Sequence, residues 1–120
     1  MTEHAQPPAQ VVDGEEIAWT AHPRFPDILM KQMLTSAANP LASVSRVRVP
    51  SGGVIGWHQH AAQTETVYVL AGDSTLTLGE SPVPFCAGQI VAIPPAVQHT
   101  LVNDGAEPVE LLCFFTPPVV

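Results

Sequence analysis

Basic residues are scarce in this 120-residue chain. It holds four Lys and Arg against eleven Asp and Glu, which gives a formal net charge of −7 at pH 7. Proteins that bind nucleic acid present a basic patch to the phosphates, and adsorption to anionic membranes also needs clustered Lys and Arg. We therefore expect neither nucleic acid nor a membrane among the partners.

Long apolar runs are also missing. No stretch approaches the roughly 18 apolar residues of a membrane span, and residues 1–10 lack the basic and apolar regions of a secretory signal. The two cysteines, Cys86 and Cys113, form no C-x-x-C pair. They predict buried, reduced thiols, although a disulfide or a thiolate ligand stays open. We expect a cytoplasmic protein.

The sequence also lacks any long segment with helical periodicity. Thirteen prolines and eight glycines cut the chain into short apolar runs, a pattern typical of an all-β sandwich or barrel. The length fits one domain, which we place at residues 11–120 after a disordered tail at residues 1–10. Within this domain we predict roughly nine to eleven strands, among them a short edge strand at 17–19, and a loop at 79–84.

A V-S-R-V-R-V run alternates strictly between two faces, as a strand does. One face carries Ser45, Val47 and Val49, and the other carries Arg46 and Arg48. The two arginines either lie on a solvated outer face or reach a ligand carboxylate inside the barrel. The sequence leaves both alternatives open.

Histidine is sparse as well, yet it is concentrated in residues 57–72. His58 and His60 are two positions apart, so on a strand both side chains project from the same face. Glu65 opens a following run, rich in β-branched and aromatic residues, that predicts the next strand. Two imidazoles and a carboxylate on neighbouring strands suit a divalent metal that accepts nitrogen and oxygen ligands. Whether His99, much further along, shares the same ion is left open by the spacing.

Two motifs enclose these residues. Residues 52–72 read G-x5-H-x-H-x4-E-x6-G, and residues 88–103 read G-x5-P-x-A-x2-H-x3-N. Together they resemble the two sequence motifs of the cupin superfamily, and the departure is Ala96, where the pattern has glycine. If that position needs a positive φ, alanine costs about 1 kcal/mol. If the turn keeps negative φ throughout, the substitution costs nothing.

The resemblance implies a double-stranded β-helix, or jelly-roll, barrel with a metal inside it. By position, His58, His60 and Glu65 of the first motif and His99 of the second would be the ligands. Such a set implies one divalent transition metal ion (Fe, Mn, Ni, Co, Cu or Zn) with positions left open for water, O₂ or a chelating substrate. Asn103 matches a position that is mostly structural.

The resemblance also implies a function. Small cupins include dioxygenases, isomerases, cyclases, lyases and decarboxylases, so we expect a metal-dependent enzyme that acts on a small oxygen-containing molecule in an apolar barrel pocket. Glu65 is the one candidate catalytic base. The alternative is a non-catalytic, metal-dependent binding or sensor module. Because small cupins pair through N-terminal strands, we expect a homodimer formed through residues 17–19 and 28–34.

Other residues near the motifs carry weaker expectations. Gln63 lies between the ligand strands and either reaches the site or, as we favour, belongs to a loop. Trp57 alternates with His58 and should face away from the metal, with a core position favoured over an exposed one. His22, in a proline-containing connection at 21–27, is predicted at the surface.

Overall fold

The computed structural model describes residues 6–120, and residues 1–5 lie outside the described part. The predicted tail at 1–10 therefore falls partly outside it, and residues 6–10 adopt neither helix nor strand. A short 3-10 turn, Gly14–Glu16, is capped by Asp13, whose side chain accepts a hydrogen bond from the backbone N–H of Glu15 at 2.9 Å.

Strands account for most of the described chain. Their bounds are β1 Thr20–Ala21, β2 Leu29–Leu34, β3 Ser43–Val49, β4 Val54–His58, β5 Thr64–Ala71, β6 Asp73–Leu78, β7 Ser81–Cys86, β8 Ile90–Ile93, β9 His99–Val102 and β10 Val109–Thr116. They form a six-stranded sheet in the order β1-β2-β3-β10-β5-β8 and a four-stranded sheet in the order β4-β9-β6-β7. All pairings are antiparallel. The predicted all-β jelly-roll fold is confirmed.

Alternation along each strand decides which side chains face the space between the two sheets. In β5, Glu65, Val67 and Val69 are buried, whereas Tyr68 is exposed. Buried apolar side chains from both sheets fill that space: Ile28, Val47, Val49, Val67, Val69, Leu76, Phe85, Leu101, Val109, Leu111 and Cys113. Removing such side chains from water is the main force that holds the sheets together. The same inward row places Glu65 at one end of the core.

The two arginines of β3 lie on the outer face of the larger sheet. Arg46 and Arg48 both form ion pairs with Glu110 of β10. The ring of Trp19 lies over both guanidinium groups, at 5.7 and 5.6 Å. Neither arginine lines the interior cavity. The structure thus selects the outer-face alternative for this pair.

Two local predictions are wrong. Residues 17–19 form no strand, and the chain first pairs in β1. Residues 79–84 are not a loop, because most of them belong to β7 despite Pro82 and Pro84. Strand β7 pairs only with β6 and forms an edge of the smaller sheet. Proline is tolerated there because an edge strand has no second neighbour to which it must donate.

Within residues 6–120, no helix is long and apolar enough to cross a membrane. Both cysteines are free thiols, Cys113 buried and Cys86 partly exposed. The expectation of two reduced thiols agrees with this arrangement, although only one of them is fully buried.

Candidate metal centre

Two adjacent strands of the smaller sheet bring the first imidazoles together. His58 ends β4 and His99 begins β9, and the antiparallel register pairs them directly. Both side chains are buried, and their ring centroids are 4.1 Å apart. His60 follows β4, and its ring centroid lies 5.1 Å from that of His58. Three imidazoles therefore converge at one end of the barrel.

Backbone carbonyl groups orient two of these rings. Nδ1 of His58 lies 2.8 Å from the carbonyl oxygen of Gly56, and Nδ1 of His99 lies 2.9 Å from that of Val97. Because a carbonyl oxygen can only accept, each Nδ1 must carry the donated proton. In the neutral ring, Nε2 then keeps its lone pair. Metal-ligating histidines are commonly held in this way.

Glu65 completes the cluster from the larger sheet. Its Oε1 lies 3.2 Å from Nε2 of His99 and 3.4 Å from Nε2 of His60. Nε2 of His60 is buried and has no hydrogen-bond partner within the described part of the chain. One potential ligand atom from each of the four residues, His58, His60, Glu65 and His99, lies within 4.8 Å of the others. Imidazole nitrogen with carboxylate oxygen suits a divalent transition metal, so the cluster could hold one such ion.

The charge states of Glu65 and His58 suit a cation. Burial by itself raises the pKa of Glu65, but its contacts with His60 and His99 outweigh burial and lower the pKa from 4.5 to about 2. Burial by itself lowers the pKa of His99, whereas the Glu65 carboxylate and the Val97 carbonyl group together raise it. Burial lowers the pKa of His58. At neutral pH Glu65 is therefore ionised and His58 is neutral, which are the forms that bind metals.

A cavity of about 300 Å³ opens beside the cluster. Its walls are mostly aliphatic and aromatic, contributed by Met30, Val47, Ile55, Val67, Leu76, Phe85, Val91, Ile93, Leu101, Leu111 and Phe115. The ring of Phe115 packs edge-on against His60 with a centroid distance of 5.0 Å. The volume lies at the small end of the range for ligand sites, so the cavity fits a small, largely apolar molecule next to the cluster.

Sequence reasoning missed the mouth of this cavity. His22, Arg24 and Phe25 line it, although the connection they belong to was expected to be an irregular surface segment. Phe25 packs against the ring of His58 with a centroid distance of 5.2 Å. Pro23 and the aromatic Phe25 together were the only local signal for a fixed, inward-packed turn. Nothing local indicates that this turn closes over the barrel end.

Cys113 is a second cavity residue that the sequence did not assign to the site. Burial raises the pKa of its thiol well above the ordinary value, and the nearby Glu65 carboxylate adds to the effect. The thiol is therefore protonated at neutral pH, whereas a thiolate is the form that binds metals.

The turn before β9 shows whether position 96, where the cupin pattern has glycine, needs a positive φ. Ala96 has a φ of 64°, so this position does require the left-handed conformation. Its backbone N–H donates to the carbonyl oxygen of His60 at 2.7 Å.

Asn103, fully buried at the far end of β9, donates to the carbonyl oxygens of Val49, Pro50 and Glu107 and accepts from the N–H of Gly105. Both residues hold strand ends in place, and Asn103 has the structural role implied for it.

Two residues near the motifs remain to be placed, Gln63 and Trp57. Gln63 lies outside the cavity, in the link after β4, and donates to the carbonyl oxygen of Pro118. Trp57 faces away from the cluster, as expected, but it is 53% exposed, so the favoured core position is wrong. It lies on the outer face of the smaller sheet, opposite the buried His58.

Comparison with known proteins agrees with the geometry. The model of the cupin domain family matches residues 45–115, which is more than half of the chain. The chain belongs to the cupin domain family. The matched span runs from β3 to β10 and includes all four residues of the cluster.

This cupin is 32% identical over 76 residues to an uncharacterised protein of Methanocaldococcus jannaschii, a match that covers 63% of the chain and 61% of the relative. The chain thus spans less than two thirds of that relative. It is 26% identical over 88 residues to an oxalate-binding protein of Thermotoga maritima, covering 72% and 73%. The crystal structure of a predicted oxalate decarboxylase from Thermotoga maritima superposes with a TM-score of 0.82 at 24% identity, over 90% of this chain and 99% of the other. That last likeness shows the shared fold.

Proposed function

We propose that this cupin binds one divalent transition metal ion through His58, His60, Glu65 and His99. We further propose that it is a small metal-dependent enzyme, dioxygenase-like or an isomerase or lyase, acting on a small oxygen-containing molecule. The observation that carries the proposal is the orientation of His58 and His99, whose Nδ1 atoms are held by carbonyl groups, in a cluster whose four potential ligand atoms lie within 4.8 Å of one another. A metal held there supplies Lewis-acid polarisation of a bound oxygen, or O₂ activation if it is iron.

The chain's own residues supply the surroundings for such chemistry. The apolar walls limit water at the cluster, which strengthens electrostatic interactions there. Glu65, the candidate base, has a pKa of about 2. A carboxylate with so low a pKa is a weak proton acceptor, so its first role is that of a charged ligand.

Metal content tests the ligand assignment. We expect elemental analysis of purified protein to find one transition metal ion per chain in the wild type. We expect His58→Ala and His99→Ala to lose it and to lose the thermal stabilisation that the metal gives, because a ligand that binds only the folded state stabilises that state. His22→Asn is the matched control, since it removes a cavity histidine outside the cluster and should keep the metal. Full occupancy in both alanine variants would contradict the assignment.

The metal's identity separates the reaction classes. Iron in the purified protein favours the dioxygenase-like activity, which an oxygen electrode would detect as substrate-dependent O₂ consumption. Loss of that signal in His99→Ala, with the fold intact by circular dichroism, would assign the activity to the cluster. A metal-loaded protein that turns over no candidate substrate, with or without O₂, would contradict an enzymatic role.

A metal-dependent binding or sensor module is the second candidate. Two observations favour it: one relative is an oxalate-binding protein, and the cavity is mostly apolar, with few groups suited to proton transfer beside the cluster. Zinc in the purified protein favours this alternative. Calorimetry would then show a small oxygen-containing ligand binding to the metal-loaded protein without conversion.

We also propose a homodimer in the cytoplasm. The dimer is supported by β1, because no strand within residues 6–120 pairs beyond it and an open edge can accept a strand from a second copy. The cytoplasmic location is supported by the two free thiols. Light scattering after size-exclusion chromatography would measure the mass, and a monomer at micromolar concentration would refute the dimer.

A further inference from the structure

Arg24 differs from the other three basic residues in its contacts within residues 6–120. Lys31 is buried and donates to the carbonyl oxygen of Gly14, and Arg46 and Arg48 both pair with Glu110 on the outer face. Within residues 6–120, no carboxylate lies within ion-pair distance of Arg24. A guanidinium that has no ion pair in the described part of the chain is unusual where acidic residues outnumber basic ones by eleven to four.

Arg24 is exposed and lies at the mouth of the cavity. Arg24 lines it together with His22 and Phe25. The guanidinium lies 5.4 Å from the centroid of the Phe25 ring, and that ring packs on His58 at 5.2 Å. One aromatic ring thus connects the positive charge at the entrance with the candidate metal cluster.

The turn that presents Arg24 is fixed rather than loose. Nδ1 of His22 accepts the backbone N–H groups of Arg24 at 3.1 Å and of Phe25 at 3.3 Å. The rings of His22 and Phe25 also pack together, with centroids 4.9 Å apart. His22 is therefore a positioning residue for the mouth, because it fixes the backbone from which the Arg24 side chain extends.

We propose that Arg24 binds the carboxylate of a small, mostly apolar or aromatic acid whose apolar body occupies the cavity. The walls offer no compensation for a buried charge apart from the cluster, so the ligand's charged end is best placed at the solvent-facing mouth. A planar guanidinium matches a carboxylate through paired hydrogen bonds. This substrate class rests on the proposed function, because the acid would lie against the metal cluster.

Paired probes test the charge without knowledge of the natural ligand. Calorimetry on zinc-loaded protein would compare phenylacetate and 3-phenylpropanoate with their neutral carboxamides. We expect the acids to bind more tightly than the amides to the wild type. Because Arg24 is exposed, its loss in Arg24→Met should weaken acid binding by only about fivefold, leave amide binding unchanged, and reduce the sensitivity of acid binding to salt. Arg24→Lys should keep most of the preference for the acid.

Arg48→Met is the matched control, because it removes a partly exposed arginine from the outer face and should leave both affinities unchanged. If Arg24→Met prefers the acids as strongly as the wild type does, the cluster and not Arg24 selects the anion, and the proposal is overturned. If the wild type shows no preference for the acids, it is equally overturned. Zinc content is measured on every sample, so a protein that takes no metal refutes the proposed function, while the same titrations on metal-free protein still decide the role of Arg24.

Discussion

Replacing Ala96 with glycine should stabilise this protein. Ala96 holds a φ of 64° in the turn before β9, and the left-handed conformation costs a non-glycine residue roughly 1–2 kcal/mol. Glycine removes that strain, but its greater freedom in the unfolded chain offsets about 0.4–1 kcal/mol of the gain. The methyl group is exposed, so no packing is lost. The net expectation is about 0.5–1 kcal/mol of added stability.

Urea unfolding of metal-free protein, followed by tryptophan fluorescence, would measure this difference. In a thermal unfolding experiment on the same metal-free form, the melting temperature of Ala96→Gly should be about 2–5 °C higher than that of the wild type for a domain of this size. The N–H of residue 96 remains available for the carbonyl oxygen of His60, so metal content should not change. Tests on the metal-free form keep any change in metal affinity out of the result.

Ala92→Gly is the matched control. Ala92 is exposed in β8 and has no positive φ, so glycine there adds unfolded-state freedom with no strain to relieve. We expect that variant to lose about 0.5–1 kcal/mol. If Ala96→Gly were destabilised as much as Ala92→Gly, the left-handed turn would carry no strain and the reasoning would be refuted.

Three further changes test other parts of the fold. Asn103→Ala should lower the free energy of unfolding by about 3 kcal/mol, because carbonyl oxygens buried around its amide lose their donor. Gly72→Ala should cost clearly more than Gly79→Ala: both positions have positive φ, but the added Cβ at Gly72 would lie 2.5 Å from a backbone oxygen, whereas at Gly79 it meets nothing within 4 Å. Equal losses in urea unfolding would refute the steric argument. Burial and a neighbouring guanidinium lower the pKa of His22 from 6.5, so the unfolded chain binds the extra proton and stability falls as pH drops below 6.5. His22→Asn keeps a side-chain acceptor for the turn, and its unfolding free energy should depend less on pH between 7.5 and 5.5 than that of the wild type.

The inward rows of the barrel could be read from the sequence because a strand repeats every second residue. That period places Glu65 with Val67 and Val69, and it separates Arg46 and Arg48 from the core side of β3. It cannot say what covers an outer face. Trp57 alternates correctly with His58, yet it is 53% exposed on the outer face of the smaller sheet.

The segments whose structure was predicted wrongly, β7 and the turn at the cavity mouth, have a different cause in common. Strand β7 looked like a loop because its two prolines lower local strand propensity, and only its edge position, a property of the whole sheet, makes them acceptable. The cavity mouth was missed because a turn far upstream of the motifs closes over His58. Both outcomes depend on contacts between segments that no local pattern contains.

The central place of β10 in the larger sheet also bears on how the molecule folds. Strand β10 lies between β3 and β5 and pairs with both, yet every strand from β4 to β9 separates it from β3 along the chain. A sheet whose middle strand pairs across such a distance cannot grow by adding neighbours in order, and long-range pairing of this kind slows folding. Until β10 inserts, β3 and β5 expose open edges, and His60 lacks the Phe115 ring that packs against it. The packing around His60 is therefore complete only once β10 is in place.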